Sequence, residues 1–171
     1  MGLITVSASH HAFLGVVPED LIDFGWQPSQ SADGWRRSMH DAPERDFFLI
    51  AERDAASPPS EAIGLAWAGS SHRDIRTEGE LKGLYVLPTQ HGLGVGRRLV
   101  AATAARLEQS GATSMVVGCI RENTSCGFYR HLGGVETFRR PSAVDRFETE
   151  EIFFHWPDLA TARERHFEPA A

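Results

Sequence analysis

The sequence predicts an α+β fold with a mixed sheet, and three observations support this. The 171 residues are enough for one domain with a substantial core. Hydrophobic residues make up 42% of the chain and charged residues 23%, as in ordinary globular proteins. Strand-like apolar segments dominate the first half, whereas strand and helix patterns alternate in the second half. We therefore expect residues 1–171 to form a single domain.

The first half of the chain begins with a predicted strand at residues 3–8 (LITVSA). Residues 17–26 predict a helix, because Pro18 and two acidic residues mark its start. Residues 29–39 predict a polar loop leading to a short helix, and residues 47–52 predict an apolar strand of central or parallel type. A turn at residues 54–60 joins this strand to a second one at residues 63–69, so the two form a hairpin. Residues 70–79 predict a hydrophilic loop.

The second half begins with a predicted strand at residues 80–87, followed by a helix from about Gly94 to Gln109 that Gly111 closes. An apolar stripe on this helix predicts the side that packs on the sheet, and its members are Leu99, Val100, Thr103 and Leu107. A strand, a helix and two further strands follow, at residues 114–120, 123–132, 135–140 and 151–157. The charged residues after them predict a peripheral tail.

A glycine-rich turn connects the predicted strand at residues 80–87 to the helix. Gly92, Gly94 and Gly96 leave backbone N–H groups uncovered by side chains. The helix that starts near Gly94 directs the positive end of its dipole to the same place. This arrangement predicts a phosphate-binding loop.

The glycine spacing separates three types of phosphate loop. A Walker loop requires a second glycine five residues after the first, but Arg97 stands five residues after Gly92. A dinucleotide fingerprint would place its third glycine at Arg97 as well. The stretch resembles instead the signature of the GNAT superfamily of acetyl-CoA-dependent N-acetyltransferases, which is Gln or Arg, two free positions, Gly, one free position, and Gly or Ala. Residues 91–96 (HGLGVG) carry the resemblance, with His91 in place of Gln or Arg.

A second segment, residues 122–134 (ENTSCGFYRHLGG), strengthens this resemblance. It predicts a short helix capped by Asn123 and ended at Gly133. The segment closely resembles the second GNAT motif, which is an Asn, a few small residues, Phe-Tyr, two residues and Leu-Gly. It also follows the first motif at the expected distance of one helix and one strand.

The resemblance implies a mostly antiparallel GNAT-like sheet of about six to seven strands flanked by helices. It also implies direct transfer of an acetyl group from acetyl-CoA to a primary amine of a small molecule or peptide, in a ternary complex and without a metal. Glu80, six residues before Val86, would be the general base, with Glu78 as the alternative, and Tyr129 would be the general acid. The implied acetyl-CoA-binding residues are Val86, His91, Gly92, Leu93, Gly94, Val95, Gly96, Arg97 and Asn123.

Charge and composition exclude several other classes of protein. The net charge of −6 argues against a nucleic-acid-binding protein and suits a cationic amine partner. Cys119 and Cys126 lack metal-ligand spacing, and no histidine pattern suggests a metal site. No leader-like or membrane-spanning segment is recognised, so we expect a cytoplasmic protein that does not bind membranes.

Two alternative functions remain open at this stage: a non-catalytic acyl-CoA-sensing or interaction module, which His91 favours, and a GNAT toxin that acts on aminoacyl-tRNA, which the acidic charge disfavours. The acceptor amine cannot be read from the sequence. We expect its pocket to draw on the N-terminal helices and on residues 70–79. The oligomeric state is open, with a homodimer among the alternatives.

Overall fold

The computed structural model describes residues 2–18, 28–53, 61–71, 78–144 and 146–167. Within these ranges the α-helices are α1 (Gly2–Phe13), α2 (Pro28–His40), α3 (Val95–Gln109), α4 (Ser125–His131) and α5 (Leu159–Ala162). The strands are β1 (Phe47–Arg53), β2 (Glu61–Ser70), β3 (Gly79–Val86), β4 (Met115–Ile120), β5 (Val135–Val144) and β6 (Phe147–Trp156). A short 3-10 turn spans Pro88–Gln90, and a π-helical turn spans Arg163–Phe167.

The described strands form one six-stranded sheet in the order β1-β2-β3-β4-β6-β5. Neighbouring strands are antiparallel except for β3 and β4, which are parallel. Strands β3 and β4 can be parallel because α3, which connects them, crosses over the sheet and returns the chain to the end where β3 began. The predicted α+β fold with a mixed, mostly antiparallel sheet is therefore confirmed.

Helices cover both faces of the sheet. On one face, which we call the α3 face, the buried stripe of α3 packs with α4, α5 and the strand residues Leu81, Val117 and Phe154. On the other, which we call the α1 face, α1 and α2 pack on Leu65 and Tyr85 through Ile4 and Trp35. The predicted stripe of α3 is confirmed, since each of its four members is buried.

The N-terminal strand predicted at residues 3–8 is wrong, because these residues belong to α1. Ile4 packs in one cluster with Trp35, and the Thr5 hydroxyl accepts a hydrogen bond of 2.6 Å from Trp35 Nε1. In a strand, these neighbouring side chains would point to opposite sides and could not both reach Trp35. Packing therefore outweighs the strand preference of a short run with β-branched residues.

Two further predictions in the first half need correction. The polar loop predicted at residues 29–39 lies within α2, which begins at Pro28, a residue suited to the first helical position. Strand β1 exists as predicted, but among the described strands it lies at the edge of the sheet and pairs antiparallel, so it is not a central or parallel strand. Its sequence is continuously apolar because Phe47 packs on the α3 face while Phe48 packs near Trp35 on the α1 face.

The C-terminal part contains more regular secondary structure than the sequence predicted. Strands β5 and β6 extend through most of the predicted polar loop between them. The described part of the predicted peripheral tail instead forms most of α5 and the π-helical turn, and these elements bury Leu159 and Phe167. The ring of Phe167 packs edge-on against Trp156, with 5.7 Å between centroids, so this segment contributes to the core.

Several predictions fall on residues that the structure does not describe. The helix predicted at residues 17–26 lies mostly outside the described ranges, and the turn at residues 54–60 lies entirely outside them. Only Ser70, Ser71, Glu78 and Gly79 of the predicted loop at residues 70–79 are described.

Gly134, just after α4, lies against rigid neighbours and generates a stability prediction. A Cβ atom built on Gly134 would lie 2.8 Å from Trp156 Cζ2 and 3.0 Å from the Tyr129 carbonyl oxygen. We therefore expect Gly134→Ala to lower the free energy of unfolding, measured in urea, by about 1–3 kcal/mol. Gly34→Ala in α2 is the control: a Cβ there meets no described neighbour within 4 Å, so stability should hold or rise. Equal stability of both variants would contradict the close packing of Gly134.

Candidate active site between two diverging strands

The parallel strands β3 and β4 stay together for only three residue pairs. The pairs are Gly79 with Met115, Glu80 with Val116, and Leu81 with Val117. Beyond them β3 continues along β2 to Val86, whereas β4 continues along β6 to Ile120. We call the space between residues 82–86 of β3 and residues 118–120 of β4 the wedge. Its inner edges carry backbone groups that do not pair with each other, so an extended ligand could bond to them.

The predicted phosphate loop lies at the end of β3, where the wedge opens. Gly94 has φ of +76° and directly precedes α3, without a side-chain cap. This left-handed conformation favours glycine. The first helical bond runs from the Arg98 N–H to the Gly94 carbonyl, so the N–H groups of residues 95–97 precede the intrahelical ladder. Together with the helix dipole they form a site suited to an anion.

The two sequence motifs meet at Gly96. A Cβ atom built on Gly96 would lie 3.3 Å from Phe128 Cζ and 3.8 Å from Val86 Cγ2. The end of β3, the first turn of α3 and α4 therefore converge at this point. A larger residue at position 96 would force the Phe128 ring to move.

His91 contacts the same strand end. Its Nε2 lies 3.2 Å from the Val86 carbonyl oxygen, and its ring packs edge-on against His11 of α1, with 5.1 Å between centroids. The imidazole can donate a hydrogen bond to this carbonyl when Nε2 carries the proton. In this structure His91 therefore engages the backbone group of Val86 that the resemblance reserves for the cofactor.

The remaining predicted cofactor residues lie on both sides of the opening. Arg97 is half-buried in the first turn of α3, and Leu93 is exposed at the tip of the loop. Asn123 lies beyond the end of β4, and its side-chain oxygen accepts a hydrogen bond of 2.8 Å from the Ser125 N–H. The predicted N-cap is off by one residue, because Thr124 occupies that position without a side-chain cap bond. The Asn123 bond still satisfies the amide of the first residue of α4, so a local structural role accounts for Asn123.

Tyr129 lies on α4 and packs on the α3 face. Its ring contacts Phe128, Phe154 and Trp156, with centroids 5.3, 5.7 and 6.4 Å away. Burial raises the pKa of Tyr129 well above its usual range, and the neighbouring Cys119 adds to the effect. The phenol therefore holds its proton at neutral pH.

Glu80 lies on the α1 face, opposite to Tyr129. It directly precedes Leu81, which faces α3, and successive strand residues alternate between faces. Only 3% of Glu80 is exposed. Because β3 and β4 separate after Leu81, Glu80 lies at the narrow end of the wedge. The structure therefore places the two predicted catalytic residues on either side of the sheet and not next to each other.

Glu78, the alternative base, has a structural partner. Its Oε2 accepts hydrogen bonds from the N–H and the hydroxyl of Thr113. The bond from the Thr113 N–H, followed by that from the hydroxyl, lowers the pKa of this exposed carboxyl. Glu78 thus ties the start of β3 to the segment before β4, at the closed end of the strand pair.

His155 is a candidate functional residue that the sequence reasoning missed. It pairs with Val116, which pairs with Glu80, so the three residues form a row across the α1 face. Its Nε2 is buried and has no hydrogen-bond partner among the described residues. Burial lowers the pKa of His155, which favours the neutral imidazole. The alternation of β6 was the available signal, since Phe154 and Trp156 face α3 and leave His155 on the other side.

Two negative findings concern the described residues only. They contain no group of three or more His, Cys, Asp or Glu side chains arranged to hold a metal ion. None of their helices has the length and apolar character needed to cross a bilayer. Both cysteines are free and buried.

Known proteins resemble this chain in sequence. Residues 62–141 match the family model described as FR47-like protein. The curated protein named uncharacterized N-acetyltransferase YuaI, from Bacillus subtilis strain 168, is 30% identical over 105 residues. This match covers 58% of the present chain and 61% of the relative, so it spans less than two thirds of the relative's length.

The fold also occurs in solved structures. A GCN5-related N-acetyltransferase from Rhodopseudomonas palustris has a TM-score of 0.65 at 17% identity, covering 90% of this chain and 85% of that one. The PaiA N-acetyltransferase from Thermoplasma acidophilum, solved with coenzyme A, has a TM-score of 0.55 at 17% identity, covering 88% and 89%. These distant likenesses bear on the fold alone. The chain is thus similar in sequence to the FR47-like family model and to an N-acetyltransferase relative, and similar in fold to GNAT acetyltransferases.

Proposed function

We propose that the chain is an acetyl-CoA-dependent N-acetyltransferase that acts on a primary amine of a small molecule or peptide by direct transfer in a ternary complex. The observation that carries the proposal is the divergence of β3 from β4 after Leu81 and Val117. A phosphate loop follows one of these strands, and the helix with Tyr129 follows the other. The relatives support the activity, since the curated one is named an N-acetyltransferase.

The residues around the wedge fit coenzyme A. The backbone N–H groups of residues 92–97 would hold the pyrophosphate at the start of α3. The unpaired inner edge of β3, with Val86 at its end, would bond to the pantetheine arm as a neighbouring strand would. His91 would release the Val86 carbonyl when the arm binds, and Asn123 would border the opposite side. Acetyl-CoA, when bound, supplies an acetyl group as a thioester.

Glu80 would take the proton that an acceptor amine must lose before it attacks. An aliphatic amine has a pKa of about 10.4, so removing its proton at pH 7 costs roughly 4–5 kcal/mol. A carboxylate at the narrow end of the wedge could accept that proton, directly or through water. We favour Glu80 over Glu78, because Glu80 lies at the narrow end of the wedge, whereas Glu78 lies at the closed end of the strand pair, next to Thr113.

Tyr129 would protonate the departing thiolate. A thiol of this kind has a pKa of about 8.5, well below the raised pKa of Tyr129. Full transfer of the phenolic proton is therefore uphill, and a hydrogen bond to the developing sulfur charge would contribute before transfer is complete. The reaction would thus use Glu80 on the α1 face and Tyr129 on the α3 face.

The acceptor would approach from the α1 face, where Glu80 and His155 lie. The negative charge of the chain, −6, suits a cationic amine. Release of the coenzyme A thiol, measured across a panel of amines, amino acids and peptides, tests the activity and finds the acceptor class. Calorimetric binding of acetyl-CoA without thiol release from any acceptor would favour the non-catalytic sensor instead.

The role of Tyr129 generates the first kinetic prediction. Tyr129→Phe keeps the ring in its aromatic contacts but removes the hydroxyl, so kcat should fall roughly 100-fold. The affinity for acetyl-CoA, measured by calorimetry, should stay near that of the wild type. A wild-type kcat for Tyr129→Phe would remove this residue from the mechanism.

The role of Glu80 generates a prediction about the pH profile. The Glu80→Gln variant would lack the general base and would react only with acceptor amine that is already unprotonated. The unprotonated fraction of the amine grows tenfold per pH unit below the amine pKa. Activity should therefore move to higher pH, with a loss of roughly 100-fold at pH 7. Glu78→Gln should keep the wild-type profile. If Glu78→Gln shifts the profile and Glu80→Gln does not, the assignment of the base is reversed.

A further inference from the structure

The carboxylate of Glu151 lies over the inner edge of the wedge. Glu151 is on β6, and its register partner on β4 is Ile120. Its side chain leans back from Ile120, because a Cβ atom built on Gly118 would clash with Oε1 of Glu151 and lie 2.8 Å from its Cδ. Both residues are on the α1 face, since Val117 and Ile152 next to them face α3. The carboxylate therefore lies on the same face of the sheet as the proposed base.

Gly118 is the residue that leaves room for this carboxylate. Glycine in the middle of a strand lowers stability, and it often marks a place where another group approaches closely. Any side chain at position 118 would push the Glu151 carboxylate away from the edge of the wedge. The ion pair of Glu151 with Arg140 does not require this glycine, because Arg140 lies on β5, on the other side of β6. The close approach of Glu151 to β4 therefore needs a separate explanation.

Arg140 orients this carboxylate. Its Nε, 2.9 Å away, and its Nη2 both donate to Oε2 of Glu151, whereas Oε1 is the oxygen that lies over Gly118. The Arg140 guanidinium also lies 5.2 Å from the centre of the Phe153 ring. Because β6 separates β5 from β4, Oε1 is nearer to the wedge than the guanidinium is. The ion pair therefore presents its negative end to the wedge.

Two carboxylates thus flank the narrow half of the wedge on the α1 face. Gly118 is two residues beyond the register partner of Glu80 on β4, so strand geometry places the two Cα atoms about 8 Å apart. The nearby cation on β3, Lys82, is already paired with the carboxylate of Asp46. A ligand with two cationic groups can therefore contact Glu80 with one group and Glu151 with the other.

We propose that Glu151 is a specificity-determining residue that binds a second cationic group of the acceptor while the reacting amine lies beside Glu80. The preferred acceptor is then a diamine rather than a monoamine. A carboxylate has about four lone-pair sites, so Glu151 can accept hydrogen bonds from an ammonium as well as from Arg140. Its side chain is only 13% exposed, so solvent ions screen this contact weakly. The reaction of the first amine rests on the proposed function, whereas the binding of a cation by Glu151 does not.

The test compares putrescine and cadaverine with butylamine and pentylamine, the monoamines of the same carbon number. The wild type should acetylate the diamines with a kcat/KM at least about tenfold higher, because a hydrogen bond to a charged group contributes a factor of this size. In Glu151→Gln, the KM for the diamines should rise about tenfold, and the KM for the monoamines should not change. Arg140 is half exposed, so the loss of its partner should leave the Tm near that of the wild type.

Two further variants complete the test. Gly118→Ala keeps the charge of Glu151 but displaces the end of its flexible side chain, so the ratio of diamine to monoamine kcat/KM should fall here too. Glu150→Gln is the matched control, because it removes the same charge from the preceding residue of β6, which faces the α3 side and pairs with Arg121. This control should keep the wild-type ratio.

Three outcomes overturn the inference: wild-type turnover of other acceptors without a preference for the diamines, a ratio that Glu151→Gln leaves unchanged, or an equal loss in Glu150→Gln, which net charge alone would explain. Failure of the wild type to release thiol with any acceptor would instead overturn the proposed function. The calorimetric Kd of putrescine in the presence of coenzyme A would then still decide the role of Glu151. It should rise about tenfold in Glu151→Gln, and an equal Kd in both proteins contradicts the inference.

Discussion

The early separation of β3 from β4 is the constraint on which the site depends. The two strands share three residue pairs and then follow different partners, β2 on one side and β6 on the other. A helical crossover makes these strands parallel, so the glycine-rich loop before α3 and the start of α4 both lie at the end where the strands are furthest apart. The gap in the sheet therefore opens between the two segments that carry the sequence motifs. In an uninterrupted sheet, these backbone edges would satisfy each other and leave nothing for a ligand.

The sheet also separates the proposed chemistry into two sides. Tyr129 lies among aromatic rings on the α3 face, where burial keeps its phenol protonated. Glu80 and His155 lie in one row on the α1 face, which α1 and α2 partly cover. In the proposed reaction, an acceptor amine would reach Glu80 without crossing the helix that holds Tyr129.

The parts that the sequence predicted well are those where local chemistry and packing agree. Gly94 adopts a left-handed conformation that favours glycine, and the stripe from Leu99 to Leu107 has the periodicity of a helix. The glycine-rich turn and α3 could therefore be predicted from the sequence alone. The N-terminal helix, the edge position of β1 and the buried Phe167 depend on distant partners, which a local pattern does not reveal. The same holds for the site: Glu80 and His155 are far apart in the sequence, and they share a row only because β3, β4 and β6 are neighbours in the sheet.

The central claim is that acetyl-CoA binds along the wedge with its pyrophosphate on the loop before α3. Backbone amide NMR during a titration with acetyl-CoA tests this most directly, because it reports on each inner edge separately. We expect saturable shifts at residues 92–97, together with residues 83–86 and 118–120, at a common Kd. Shifts confined to other surfaces, or none at saturating acetyl-CoA, would contradict it.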